Sequence, residues 1–186
     1  MRSPAGPALV FMIALLAAPV SGQTIPCPGG GGLVKASSLA TDVLEDGKGF
    51  GAVSIGSPVA DLERAWGPAA RCQRLPRSVA HEYLLVDDTA QQALMLIAFS
   101  ESGVVQGMFV SLTPHGGRTG LSVRSGRGVA LLASTDEVRA AYGPTPDPSA
   151  PMWIYAGDGI AFMQSKQLVT GIAIFKPNAP LEILRP

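Results

Sequence analysis

Residues 50–68, FGAVSIGSPVADLERAWGP, decide the fold, because an echo of them returns at residues 119–144 as TGLSVRSGRGVALLASTDEVRAAYGP. Each stretch runs from a short strand-like segment into a helix. Each stops at an aromatic residue followed by Gly-Pro. Leu62, Ala65, Trp66, Gly67 and Pro68 align with Val138, Ala141, Tyr142, Gly143 and Pro144 at a constant offset of about 76, and the second copy carries about seven more residues before its helix.

The helix starts follow from capping chemistry. In the first copy Ser57 is the expected N-cap, with Pro58 at the first helical position, where its missing N–H has no intrahelical partner to lose. Val59, Leu62, Ala65 and Trp66 then share one face. In the second copy Ser134 and Glu137 have the spacing of a capping box, and Val138, Ala141 and Tyr142 form the apolar face. Gly-Pro pairs end both helices. Helices this short persist only when packed on a sheet.

Strands are expected after each helix. In the first half they span about 82–86, 92–99 and 104–111. In the second half they span about 153–156, 160–163 and 168–175. Turn residues separate them: Asp87-Asp88, Glu101-Ser102-Gly103, Asp158-Gly159 and Ser165-Lys166-Gln167. The expectation is an α+β fold of two β-α-β-β-β repeats. Their strands form an antiparallel sheet with both short helices on one face. Residues 23–49 read as a Gly-rich amino-terminal segment and 50–112 as the first unit. Residues 113–133 read as a linker and inserted loop with the first strand of the second unit. Residues 134–186 hold the rest of that unit and a tail.

Residues 1–22 read as a secretory signal peptide. A basic start (Met1-Arg2) precedes the uncharged run Ala8–Val20, and small residues follow. Cleavage is expected after Gly22, or alternatively after Ala18. A retained membrane anchor is the competing reading, but the run is short of the ~20 residues that span a bilayer. Removing the leader takes away Arg2 and leaves 13 basic residues against 14 acidic. Near-neutral charge with only 15% charged residues opposes nucleic-acid binding. The chain is also too apolar to be a disordered one.

In an exported chain the pair Cys27 and Cys72 reads first as a disulfide. Two metal-bound thiols are the alternative, without a histidine at ligand spacing to complete a zinc site.

Ile55-Gly56-Ser57 with Leu62 and Trp66-Gly67-Pro68 carries a resemblance, as does Ser134–Val138 with Ala141-Tyr142-Gly143. The hairpin ends Gly107-Met108-Phe109 and Gly171–Ile174 extend it over roughly residues 50–175. The chain resembles a tandem of the small bacterial periplasmic units of the beta-lactamase inhibitory protein and BamE/SmpA-like superfamily. The resemblance implies a non-enzymatic binding or assembly role, through an exposed sheet face. The chain departs from the lipoprotein members in lacking a lipid-attachment cysteine directly after its apolar run.

Catalytic signatures are sparse. His81 and His115 are the two histidines, and there is no HExxH, CxxC or calcium-loop motif. No serine sits in a G-x-S-x-G elbow. His81 with Asp87 or Asp88 is a metal reading that loses to ordinary strand-edge and turn roles. Arg118, Arg124 and Arg127, with His115, lie among glycines at 113–128. They suit either anion contact or a solvated linker. Tyr83, Trp153 and Tyr155 fall on strands, and alternation sets Trp153 and Tyr155 on one face. They belong to the core or, on an uncovered face, to a partner-binding patch.

The sequence thus supports an exported, non-catalytic protein, periplasmic or secreted, that binds another protein or a cell-envelope component. The alternative is a small exported hydrolase or small-ligand or anion-binding protein using His81, His115 or the loop arginines. No cofactor, metal, nucleic acid or membrane span after leader removal is expected.

Overall fold

The computed structural model describes residues 23–27, 31–89, 92–113, 120–145 and 147–179. The expected leader lies outside the described residues. In chain order the described elements are β1 (Gln23–Ile25), β2 (Leu33–Lys35), β3 (Val43–Glu45), β4 (Gly49–Phe50), β5 (Val53–Ser54), α1 (Val59–Trp66) and β6 (Arg71–Arg74). Then come β7 (Val79–Val86), β8 (Ala93–Glu101), β9 (Val104–Leu112), β10 (Arg124–Ser125), α2 (Thr135–Tyr142), β11 (Met152–Tyr155), β12 (Ile160–Ser165) and β13 (Leu168–Phe175). The fold is α+β, with two short helices flanked by strand-rich sheets.

The larger sheet runs β1-β6-β7-β8-β9-β13-β12-β11, and the smaller runs β10-β3-β4-β5. The outer side of β7 is shared. Val79–Glu82 pair antiparallel with β6, while Leu84–Val86 pair parallel with β2. The seam between the two halves is β9 against β13, with Phe109 opposite Ala173.

Several expectations need correction. The N-cap of α1 is Pro58, not Ser57, and it makes no side-chain cap bond. Ser57 Oγ instead accepts from the Ser54 N–H at 3.3 Å. The capping box of α2 is present as expected. The strands that precede the helices, β5 and β10, join the smaller sheet rather than the large one. The first half carries an additional strand, β6, between its helix and its hairpins. The sheets are not wholly antiparallel, since β2 pairs parallel with β7 and β10 parallel with β3. The segment 23–49 is more than a tether. It supplies β1, β2 and β3, and a Cβ at Gly32 would meet Ala70 at 2.2 Å. That glycine is present because the chain passes hard against the end of α1.

One buried cluster holds the molecule together. Leu62 and Trp66 of α1 enter it, as do Val138 and Tyr142 of α2. The smaller sheet adds Leu44, Phe50 and Val53. Leu85, Leu94, Leu96, Met108, Val110, Ile160, Phe162, Ile172 and Ile174 come from one side of the large sheet. The Cys27–Cys72 disulfide is formed, with Cα atoms 5.5 Å apart, and fastens the chain after β1 to β6. Two thiols can be joined only where the backbones already approach this closely.

Corresponding contacts recur in the two halves. Gly67 and Gly143 end the helices with φ of 76° and 86° and the same ψ of −174°. The Tyr83 hydroxyl donates to the Gly67 carbonyl at 3.3 Å, and the Tyr155 hydroxyl to Gly143 at 3.1 Å. The ladder shifts register between Phe99 and Ser100, and again between Met163 and Gln164. The Val59 N–H donates to the Gly103 carbonyl, as the Thr135 N–H does to Gln167.

Candidate binding surface

The pleat of the large sheet sends alternate side chains to opposite sides. Trp153 and Tyr155 of β11 point into the main core, so Met152 and Ile154 point away from it. Following the register across the sheet gives a row on that outer side: Arg71, Glu82, Ile97, Phe109, Ala173, Ala161 and Ile154. The adjacent row is Leu33, Leu84, Met95, Ser111, Gly171, Met163 and Met152.

This face is apolar. Ala161, Ala173 and Phe175, with Phe109, Met152 and Ile154, form a second cluster separate from the core. Every member is a strand residue of the large sheet itself. Both described helices and the smaller sheet send their buried apolar side chains to the other cluster. Two of the four large hydrophobic side chains that stand exposed among the described residues, Leu33 at 59% and Leu84 at 39%, lie at one end of this face. Ala161, Ala173 and Phe175 are buried, at 1%, 2% and 2% exposure, and Phe109, Met152 and Ile154 are half-buried, so the face is contiguous and apolar but only partly open.

Phe109 lies at the centre. A Cβ on Gly171 would meet the Phe109 ring at 2.6 Å, so the ring lies over the backbone of the neighbouring strand. Glycine at that position makes the seat for the ring. The charged groups of the row are at one edge, where Arg71 grips Glu82 through two bonds of 2.8 and 2.7 Å. That bidentate bond raises the Arg71 pKa.

The residues singled out in the sequence lie elsewhere. Tyr83, Trp153 and Tyr155 are buried on the helix-covered side, at 1%, 2% and 9% exposure. They are core side chains rather than a surface patch. Burial, with the Glu63 charge, pushes the Tyr83 hydroxyl up to about 12. The Arg139 guanidinium stacks over the Trp153 ring at 4.8 Å. Arg124 pairs with Asp42 at 3.3 Å. Arg127 binds Asp158 and the Ala141 carbonyl and lies 4.6 Å over the Tyr142 ring. Asp46 accepts from the Tyr142 hydroxyl at 2.6 Å and from the Gly126 N–H at 2.9 Å. These bonds tie the 124–128 loop to the smaller sheet and to α2. Arg118 and His115 lie outside the described residues.

His81 is the one described histidine. Its Nε2 is 2.9 Å from Ser100 Oγ, and its Nδ1 is 3.7 Å from Cys72 Sγ. A serine bonded to a histidine is the first half of a nucleophile arrangement. Here both are buried, at 8% and 4% exposure. A cavity of about 110 Å³ opens beside Leu39, Phe50, Leu85 and Leu121 and includes neither of them. Among the described residues no cluster of three metal-ligating side chains occurs. No described helix is long and apolar enough to cross a membrane.

Sequence reasoning expected a sheet face to serve as the binding surface but did not name the residues that form this one. The signal was present in β8, ALMLIAFSE, where nearly every position is apolar. An antiparallel strand with one face in water alternates apolar and polar. A strand apolar on both faces, with helices on only one, leaves an apolar face over. Comparison with protein-family models, curated proteins and solved structures finds no match for this chain.

Proposed function

We propose that the chain is an exported, non-catalytic binding protein. It is built as two copies of a helix-and-hairpin unit with both helices on one side of a shared sheet. The opposite side docks against an apolar surface of another protein. The observation that carries this reading is the apolar outer face centred on Phe109, to which neither described helix contributes a buried side chain. The recurrence of helix caps, tyrosine bonds and ladder shifts supports the duplication. The resemblance to the periplasmic inhibitor and assembly units points the same way. Apolar, aromatic-centred faces with charge at the rim are the ordinary anatomy of protein interfaces.

The test is position-dependent crosslinking of the chain from Gln23 to Pro186. A photo-crosslinking side chain at Ile97 or Met163 is expected to capture one protein from the source envelope, and one at exposed Ala140 on α2 none. Ile97→Asp and Met163→Asp are expected to lower capture at least tenfold while the melting temperature stays within a few degrees. Capture from Ala140 alone, or capture unchanged in the Asp variants, would sink the reading. So would sedimentation with lipid vesicles in place of protein capture.

A further inference from the structure

Ser100, His81 and Cys72 form a chain of polar contacts across three neighbouring strands, β8, β7 and β6. Cys72 stands directly opposite His81 in the ladder, and His81 stands opposite Ala98, two residues before Ser100. The imidazole reaches both ways. Its Nε2 is 2.9 Å from Ser100 Oγ, and its Nδ1 is 3.7 Å from Cys72 Sγ.

The disulfide fixes where the ring proton lies. Cys72 is bonded to Cys27, so its sulfur has no S–H and can only accept. A neutral imidazole carries one N–H, and burial favours the neutral ring here. A hydrogen bond to the sulfur therefore needs that proton on Nδ1. Nε2 is then the bare nitrogen and accepts from the Ser100 hydroxyl. The hydrogen bond at one ring nitrogen sets the protonation of the other. Ser100 thus holds the tautomer that aims an N–H at the disulfide.

The two sulfurs are unequal. Cys72 is buried, whereas Cys27 is half-buried and stands beyond the end of β1. A thiolate arriving from solvent meets Cys27 first. Exchange is faster when the departing thiol has a low pKa. A donor aimed at a sulfur favours its thiolate. The donor here faces the buried sulfur, which is the one that departs when Cys27 is attacked.

We propose that the Cys27–Cys72 bond is a thiol-exchange site, with Cys27 Sγ as the sulfur attacked and Cys72 as the leaving group received by the His81 Nδ1–H. An external thiolate bonds to Cys27 Sγ as the S–S bond breaks. The electron pair of that bond departs on Cys72, which accepts from Nδ1–H and takes up a proton from water. A second external thiolate then attacks the external sulfur of the mixed disulfide and releases Cys27 as a thiolate. The two cysteines are reduced by two electrons, and two external thiols are oxidised to one disulfide. The reductant is a small thiol or a protein dithiol. Once the bond is cut, the amino end is held to β6 only by the three-residue ladder of β1. This proposal does not depend on the reading of the apolar face.

The test treats the oxidised chain from Gln23 with reduced glutathione and stops the reaction with N-ethylmaleimide. Peptide mapping of the singly adducted species is expected to find glutathione on Cys27 and maleimide on Cys72. His81→Phe fills the place of the ring without a donor and is expected to slow exchange roughly tenfold. A ring that served only packing would give the opposite sign, because its replacement loosens the site and speeds exchange. Ser100→Ala keeps the ring but releases its tautomer, and it should slow exchange severalfold. It carries the test if His81→Phe does not fold. Nitrogen NMR of the oxidised chain should place the His81 proton on Nδ1. Three results would each overturn the proposal. These are glutathione on Cys72, exchange in the folded variants as fast as in the parent or faster, and a ring proton on Nε2.

Discussion

His81 is a titratable ring in a place that suits only its neutral form. Burial holds its pKa below the ordinary histidine value of 6.5, and the Glu63 charge offsets that only in part. The unfolded chain therefore takes up this proton first as pH falls. The stability held by the neutral ring is complete above pH ~6.5 and is lost as pH falls toward the folded-state pKa. Melting temperature measured from pH 7.5 to 5 is expected to decline through the lower half of that range. His81→Gln keeps a polar partner for Ser100 and cannot charge, so it should flatten this part of the curve. An unchanged slope in the variant would assign the acid sensitivity to another group. The Ser100 hydroxyl that meets this ring is enclosed with it, at 4% exposure.

Capping separates the two helices. Ser134 accepts from the Glu137 N–H, and the Glu137 carboxylate accepts from the Ser134 N–H at 2.8 Å. The Ser134 N–H and hydroxyl, both donating to the Glu137 carboxylate, hold that carboxyl below its usual pKa. Pro58 offers nothing comparable at α1. Ser134→Ala is expected to cost about 1 kcal/mol of unfolding free energy, as for a typical lost N-cap. Ser57→Ala should cost less than half of that. Denaturant titration of both variants checks the order, and equal losses would contradict this account. The helices were legible because caps, apolar spacing and Gly-Pro stops are local signals. So were the hairpins at Ser102-Gly103 and Lys166-Gln167, where positive φ marks the turns. β1, β2 and β6 were not legible. Three or four residues such as QTI, LVK and RCQR show no period, and their partners lie up to some fifty residues away. The side on which Trp153 and Tyr155 lie was equally hidden, because their neighbours Met152 and Ile154 are apolar too.

For the whole molecule, the disulfide joins cysteines 45 positions apart and closes a loop that holds β2 to β5 and α1. Cross-linking a loop of that size restricts the unfolded chain by about 2–4 kcal/mol. Replacing Cys27 and Cys72 together with Ala is expected to lower the urea midpoint accordingly. Amide exchange should rise in β1 first, since the bond fastens that strand's end to β6. A midpoint unchanged by the double replacement would mean the fold holds that end without the bond. The β9–β13 seam has a different bearing, on the order in which the molecule assembles. Each flanking hairpin closes through a short local turn. The seam joins residues some sixty positions apart, Phe109 to Ala173. Loop-closure entropy makes such a contact slow to find, so the hairpins are in place before the halves meet. Until they meet, β9 and β13 each present a bare apolar edge. β13, the last of the described strands, is the one that covers this edge of β9, so the edge stays bare until β13 has been made and docked.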